Sequence, residues 1–335
     1  MNILFDNIDN ARDLGGIIGA GGHAIRPQRL LRTAHLHDAT DADVERLRQE
    51  FNLSSVFDFR SLGEAAAFPD RQIDGVQHYS LPTIDMRAEQ TTGKAIPEQA
   101  FLDLENHIVN YSFYPEVQKM AANMYPSLIC SEYSQLQYAT FMRLIVEAPE
   151  DGGILWHCAQ GKDRTGWGAA FLMFAMGVDR ETVIADFDLS NVAYQPVVDR
   201  LNNEILSRGG GEAEMAVIRA FMGVSTANFI RTLDLIDQKF NGMTNYLHTI
   251  LCLTSADIKL LRKHYLDSLN LKNSPRARSA RLPFGRSPLP SSAVRLLLCA
   301  QHNPLPRQNS VLRVFHTVGD HKSTGFAGIE LHIPG

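Results

Sequence analysis

One stretch constrains this chain more than any other: Trp156-His157-Cys158-Ala159-Gln160-Gly161-Lys162-Asp163-Arg164-Thr165-Gly166. An apolar run, Ile154 to Trp156, leads into it, and a second, Trp167 to Met176, leads out. The first has the length of a buried strand and the second that of a helix. The chain must therefore make a strand, a tight loop and a helix start in succession, with one cysteine and one arginine facing the same small space.

Such a unit needs a sheet around the strand and helices over it, and the flanking sequence supplies both. Leu53 to Phe59 and Val76 to Leu81 are β-prone runs. Tyr138, Phe141, Met142 and Ile145 fall at i, i+3, i+4, i+7. Thr40 to Asp43 and Thr254 to Asp257 read as helix-capping starts, Gly177 as the stop of the central helix, and Arg208 to Gly211 as a break. Val183 to Leu189 and the Phe229, Leu233, Ile236, Phe240 stripe predict further helices. Asn10-Ala11-Arg12-Asp13-Leu14-Gly15-Gly16, with Gly19, Gly21 and Gly22 behind it, predicts two turns and a small hairpin. Strands alternate with helices in the first half and helices alone follow. The expected class is α/β, a mostly parallel sheet flanked by helices, with a helical C-terminal half.

Charge sets the domain limits. The formal net charge of −5 argues against general nucleic-acid binding. Residues 271–335, however, hold nine Lys/Arg against two Asp/Glu, and seven of the chain's 15 prolines. A folded domain over 1–270 is expected, followed by a basic Pro/Ser/Arg-rich tail over 271–335 without fixed structure. That tail reads either as a basic arm for anionic lipid or as a dispensable extension. Residues 86–135 carry no strong period at first and read as an excursion that could cover the central loop. Tyr125, Tyr133 and Tyr138 read as packing in the core or in that cover. No run approaches the roughly 18 apolar residues of a membrane span, and Met1 to Asp6 does not read as a signal peptide. The expectation is a cytoplasmic protein with no integral membrane segment, export by a route without a signal peptide being left open. Cys130, Cys158, Cys252 and Cys299 lack metal-ligand spacing, so neither a metal site nor a disulfide framework is expected.

The central loop carries the chemistry. A strand feeding a glycine-containing loop into a helix arrays backbone N–H groups around a concavity, and the helix N-terminus adds positive potential, so an anion is favoured there. The same field stabilises a thiolate at Cys158. Arg164 offers a planar fork for two phosphate oxygens. Thr165 is placed to hydrogen-bond the sulfur, His157 to orient the loop through backbone contacts, and Gly161 to let the backbone approach a ligand. Lys162 and Asp163 put a cation and a carboxylate inside the cradle formed with Ala159 and Gln160. A nucleotide-binding Walker loop is excluded, because Gly161-Lys162 is followed by Asp163 rather than Ser or Thr.

His157 to Gly166 resembles the signature loop of cysteine-dependent tyrosine phosphatases. Together with Asn10 to Gly16, the Lys162-Asp163 pair resembles the bacterial tyrosine/serine phosphatase family, over about residues 1–268. Asp58-Phe59-Arg60-Ser61 with Glu64, Leu81-Pro82 with Asp85, and Asp188-Leu189-Ser190-Asn191 fit the same pattern. Gln160 stands where that family usually has alanine. The resemblance implies a two-step reaction with no metal or other cofactor, in which Cys158 forms a phosphocysteine while an acid protonates the leaving oxygen. Either Asp163 or Asp85 fits the acid, and Arg60 and Glu64 would support the loop's base. The implied substrate is a phosphorylated protein or peptide bearing phosphotyrosine, with phosphoserine or phosphothreonine in addition. Because lipid-directed relatives carry a lysine at the Lys162 place, a phosphoinositide is the alternative. A catalytically dead phosphate-binding module is the second alternative, opposed by the intact Cys158, Arg164 and Thr165. A rhodanese-type loop would lack the Arg-Thr-Gly ending.

Overall fold

The structure is a computed structural model. It describes residues 1–85 and 123–267, together with two strands at 312–317 and 326–331. The expected excursion is described only from 123 onward, and the rest of the 271–335 tail lies outside the described residues.

The frame is a sheet whose central strand is the last of its parallel set to be synthesised. Strands β1 (Arg12–Asp13), β2 (Leu30–Thr33), β3 (Leu53–Asp58), β4 (Gln77–Ser80) and β5 (Gly153–His157) lie in the order β1-β2-β5-β3-β4. β5 pairs in parallel with both β2 and β3, and β3 with β4; β1 runs antiparallel to β2. At the β4 edge Tyr79 pairs with His316, where β6 (Leu312–Thr317) and β7 (Phe326–Leu331) form an antiparallel pair. The sequence shows no partner for the apolar stretch from Val311; its partner is the equally short 326–331 run.

Helices cover both faces. Among the described residues they include α1 (Asp41–Gln49), α2 (Leu62–Ala67), α3 (Glu132–Glu147), α4 (Asp163–Ala175), α5 (Arg180–Ser207), α6 (Glu212–Met222), α7 (Thr226–Phe240), α8 (Met243–Thr249) and α9 (Ser255–Tyr265), and 123–130 are helical as well. β5 reads as one apolar run because every residue in it is buried. Its side chains still alternate: Ile154 and Trp156 join the large core under α3, α4 and α7 to α9, while Leu155 joins the smaller one with Leu31, Leu47 and Val56. A third apolar cluster pairs Tyr194, Val198, Leu201 and Ile205 of α5 with Ile218 and Met222 of α6. The expected break at Arg208 to Gly211 is the turn of that pair, with Gly209 at φ +81°. The helix expected over Val183 to Leu189 lies in the first third of the 28-residue α5, which runs on through Pro196. The predicted caps at Thr40 and Thr254 close as reciprocal boxes with Asp43 and Asp257.

One expectation changes: Cys252 is disulfide-bonded. Among the described residues α6 also lies near the central loop, its end meeting Lys162; of the expected cover over 86–135, residues 86–122 lie outside the described residues, and Tyr125 reaches Asp163. No helix among the described residues is long and apolar enough to cross a membrane.

Candidate active site

Residues 158–162 leave the carboxyl end of β5, between the ends of β2 and β3, and open α4. That edge of a parallel sheet is where α/β folds place ligands. The geometry of the loop follows from where its carbonyls go. The Cys158 carbonyl meets His157 Nδ1 at 3.1 Å, and the Ala159 carbonyl accepts from His35 N at 3.0 Å. The Gln160 carbonyl accepts from Asn10 Nδ2 at 3.0 Å and the Tyr194 hydroxyl at 2.8 Å. Arg32 donates to the carbonyls of Gly161 and Lys162 at 2.9 and 3.2 Å. In a planar trans peptide the N–H points opposite to the C=O, so five carbonyls tied back to the scaffold turn the N–H groups toward the concavity. Gly161 completes the turn at φ +63°, where a Cβ would sit inside the backbone of Thr33 and Ala34.

The N-terminal motif is the back of this clamp. Arg12 and Arg32 are both buried and share one carboxylate, Asp186 on α5, at 3.4 and 2.6 Å. Arg12 also donates to Asn10 Oδ1 and to Ser190 Oγ. Two guanidiniums against one carboxylate leave net positive charge beneath the loop. Burial, with Arg32 beside it, pushes Arg12 down to about 10. Asp13 braces the turn by accepting from Gly15 N and Gln28 N.

Cys158 and Arg164 are 2% and 6% exposed. Arg164 meets Glu64 in two parallel bonds of 2.7 and 2.6 Å, and the same carboxylate accepts from Ser61 N, so it caps α2 while it holds the guanidinium. The Tyr138 hydroxyl donates to the Arg164 carbonyl and Trp156 Nε1 to the Thr165 carbonyl, fixing the first turn of α4. Thr165 Oγ1 is buried with no hydrogen-bond partner among the described residues. Arg60 bonds elsewhere, to Asp58 at 2.8 Å and Asp70 at 2.9 Å, in the wall behind His157. Asp58, Asp70 and His157 present atoms close enough to share a metal ion, but the cation their carboxylates meet is the Arg60 guanidinium.

Lys162 Nζ lies 3.7 Å from Asp163 and bonds to the carbonyls of Phe221 and Gly223 at the end of α6, with the Phe221 ring centroid 5.1 Å away. Burial lowers its pKa. Asp163 Oδ1 accepts from the Tyr125 hydroxyl at 2.5 Å, and burial together with Asp163 raises that phenol well above its ordinary value, so it stays a donor. Gln160 reaches Met222 Sδ at 3.7 Å. Asp85 is half-buried beyond the extension of β4, where Leu81 and Thr83 continue along Asp58 and Phe59. Sequence reasoning did not single out Arg32, Asp70, Asp186 or Tyr194 for this site, and it read Tyr125 as packing.

The chain also has relatives among known proteins. A model described as the tyrosine phosphatase family matches residues 3–267. A Cupriavidus necator protein carrying a tyrosine-protein phosphatase designation is 30% identical over 79% of this chain and 88% of its own. The triple specificity protein phosphatase PtpB of Mycobacterium tuberculosis is 26% identical over 67% of this chain and 86% of its own. The crystal structure of P. aeruginosa TpbA covers 63% of this chain and 89% of its own at 17% identity and a TM-score of 0.27, too low for the likeness to bear on the fold.

Proposed function

From its place in the tyrosine phosphatase family, to which the chain belongs, we propose that it hydrolyses phosphotyrosine in proteins or peptides, and phosphoserine or phosphothreonine besides, through a phosphocysteine. As a family member it is a phosphoric monoester hydrolase. The observation that carries the finer reading is the set of tied-back carbonyls around Cys158, with Arg164 held in two bonds by Glu64.

Cys158 Sγ attacks phosphorus as the ester oxygen leaves, and Asp163 gives that oxygen its proton. Arg164 and the loop N–H groups hold the equatorial oxygens, where charge is greatest in the transition state. Water then attacks the phosphocysteine and returns phosphate and thiolate; Thr165 Oγ1 donates to the departing sulfur. Asp163 is preferred over Asp85 as the acid because it stands in the loop itself, its carboxylate steadied by Tyr125. On phosphotyrosine, a poor leaving group, Asp163→Asn is expected to lose about 10²–10³ in kcat. It should lose far less on an activated aryl phosphate, with Asp85→Asn near wild type on both. The opposite pattern would move the role to Asp85.

Phosphoinositide is the second reading, favoured by Lys162 as an extra cation beside Asp163 at the cradle. Phosphopeptide ranks first because Lys162 is engaged by the α6 carbonyls. The deciding measurement is vanadate-sensitive phosphate release from phosphotyrosine peptides, phosphoserine peptides and phosphoinositide vesicles, with Cys158→Ser as control. We expect release from the peptides; release from vesicles alone overturns the ranking, and release from none returns the site to a binding module. A cytoplasmic setting is the reading that goes with this substrate class.

A further inference from the structure

The two side chains that flank Asp163 both touch one short connector, residues 223–225 between α6 and α7. The Gly223 carbonyl accepts from Lys162 Nζ at 2.9 Å, and the Ser225 backbone bonds the Tyr125 hydroxyl. Lys162 Nζ stands 3.7 Å from Asp163 Oδ2, and Tyr125 donates to Asp163 Oδ1 at 2.5 Å. Where the connector lies therefore sets what stands on each side of that carboxylate.

The connector is held from α5. Asn191 accepts from Val224 N at 2.8 Å through Oδ1 and donates to the Val224 carbonyl at 3.3 Å through Nδ2. It thus takes both backbone groups of one residue, as a neighbouring strand would. Its amide can face only one way. Nδ2 also donates to Asp188 Oδ1 at 2.9 Å, an oxygen that accepts, which leaves Oδ1 for Val224 N. Asp188 accepts in turn from the Thr226 hydroxyl, where α7 begins. Phe187 of α5 stacks on Phe229 of α7 with ring centroids 3.9 Å apart, so the two helices that carry this grip are packed against each other. The fit leaves no slack: a Cβ at Gly223 would stand 2.7 Å from Asn191 Oδ1 and 2.8 Å from the Arg219 carbonyl.

We propose that Asn191 is a positioning residue for proton delivery by Asp163. By holding Val224 it keeps the Gly223 carbonyl on Lys162 and the Ser225 backbone on Tyr125, and these two hold the carboxylate between them. Without the grip the ammonium and the phenol lose their fixed places, and the carboxylate turns with them, away from the leaving oxygen. The cradle itself is tied back through Asn10, Arg32, His35 and Tyr194 and keeps its shape. The catalytic consequence rests on the phosphocysteine reading; the grip does not.

Two measurements on the full chain separate these. The first needs no phosphate ester: acylation of Lys162 by acetic anhydride, followed by mass spectrometry at a temperature where each variant is folded. Lys162 is 6% exposed in the wild type. Asn191→Ala should speed its acylation about tenfold or more, the order that two lost hydrogen bonds allow. Gly223→Ala, whose Cβ pushes the connector off Asn191 from the other side, should do the same, and it decides alone should Asn191→Ala not fold. The second is turnover. Both variants should lose about 10–100-fold in kcat on a phosphotyrosine peptide and less than about twofold on an activated aryl phosphate, whose leaving group needs no acid. A merely structural loosening would slow both esters alike. Unchanged acylation overturns the grip, and equal losses on the two esters overturn the positioning role. If the wild-type chain releases no phosphate, the phosphatase reading fails on that ground, while the acylation rates still decide whether Asn191 places Lys162.

Discussion

Arg164→Lys should lower kcat by about 10³ or more, roughly 4 kcal/mol of transition-state stabilisation, since removing one well-placed donor to a developing oxyanion costs about 10²–10³. The charge survives this substitution but the fork does not. Lysine cannot take both Glu64 oxygens in parallel, nor lay two parallel N–H groups on a phosphate. The Glu64 partner makes a graded companion test. Its carboxylate serves two donors at once, Ser61 N at 2.7 Å and Arg164 at 2.7 and 2.6 Å. Glutamine also serves at the third position of a capping box, so Glu64→Gln should leave the start of α2 in place while removing the ionic fork. It should cost about 10–100-fold in kcat with little change in melting temperature, as expected of a residue acting through another. Both are read as steady-state turnover of an aryl phosphate beside thermal unfolding. If Arg164→Lys keeps more than a tenth of wild-type turnover, Arg164 does not hold the transferred phosphoryl group.

The pair also marks where sequence reading succeeds and where it stops. The loop from Cys158 to Thr165 is legible because strand, turn and helix are consecutive, and an apolar run on each side states the geometry. Asn10 to Gly16 is legible as a pattern, but its reason lies in space: Asn10 bonds the Gln160 carbonyl and Arg12 shares Asp186 with Arg32. β2 gives no signal because Arg32 interrupts its apolar run, and partners more than 120 positions away, the Asp186 carboxylate and the carbonyls of Gly161 and Lys162, make a buried arginine tolerable there. The same buried polar face, Asp186 and Ser190, cuts the apolar period of α5 and hides its length. Asp70 sits in Pro69-Asp70-Arg71, which reads as a surface turn until the chain folds it against Leu36 N, Arg60 and His157. Tyr125 and Tyr138 fit their reading as packing by burial alone, and what that reading omits is their hydroxyls, one on Asp163 and one on the Arg164 carbonyl.

Asp186→Asn is the other change with a large expected effect, and it acts on the loop from behind. In the wild type this carboxylate is the ionic partner of Arg12 at 3.4 Å and of Arg32 at 2.6 Å, all three buried. Taking away one member of a buried ion group leaves uncompensated charge and costs about 3–5 kcal/mol. For a domain of this size that lowers the melting temperature by about 10 °C. Turnover should fall further than unfolding explains. Arg32 loses its anchor, and the carbonyls of Gly161 and Lys162 that it holds outward are then able to turn into the cradle, where they repel a phosphate. Vanadate affinity at a temperature where the variant is still folded should drop along with kcat. Arg12→Met in the same chain removes one of the two stranded guanidiniums, so the double variant should lose less stability than the sum of the singles, a coupling of about 1–3 kcal/mol for residues in direct contact. A melting temperature unchanged by Asp186→Asn, or additive losses in the cycle, would mean that Asp186 does not balance the charge beneath the loop. In that case the N-terminal motif would hold the loop through the bond of Asn10 to the Gln160 carbonyl.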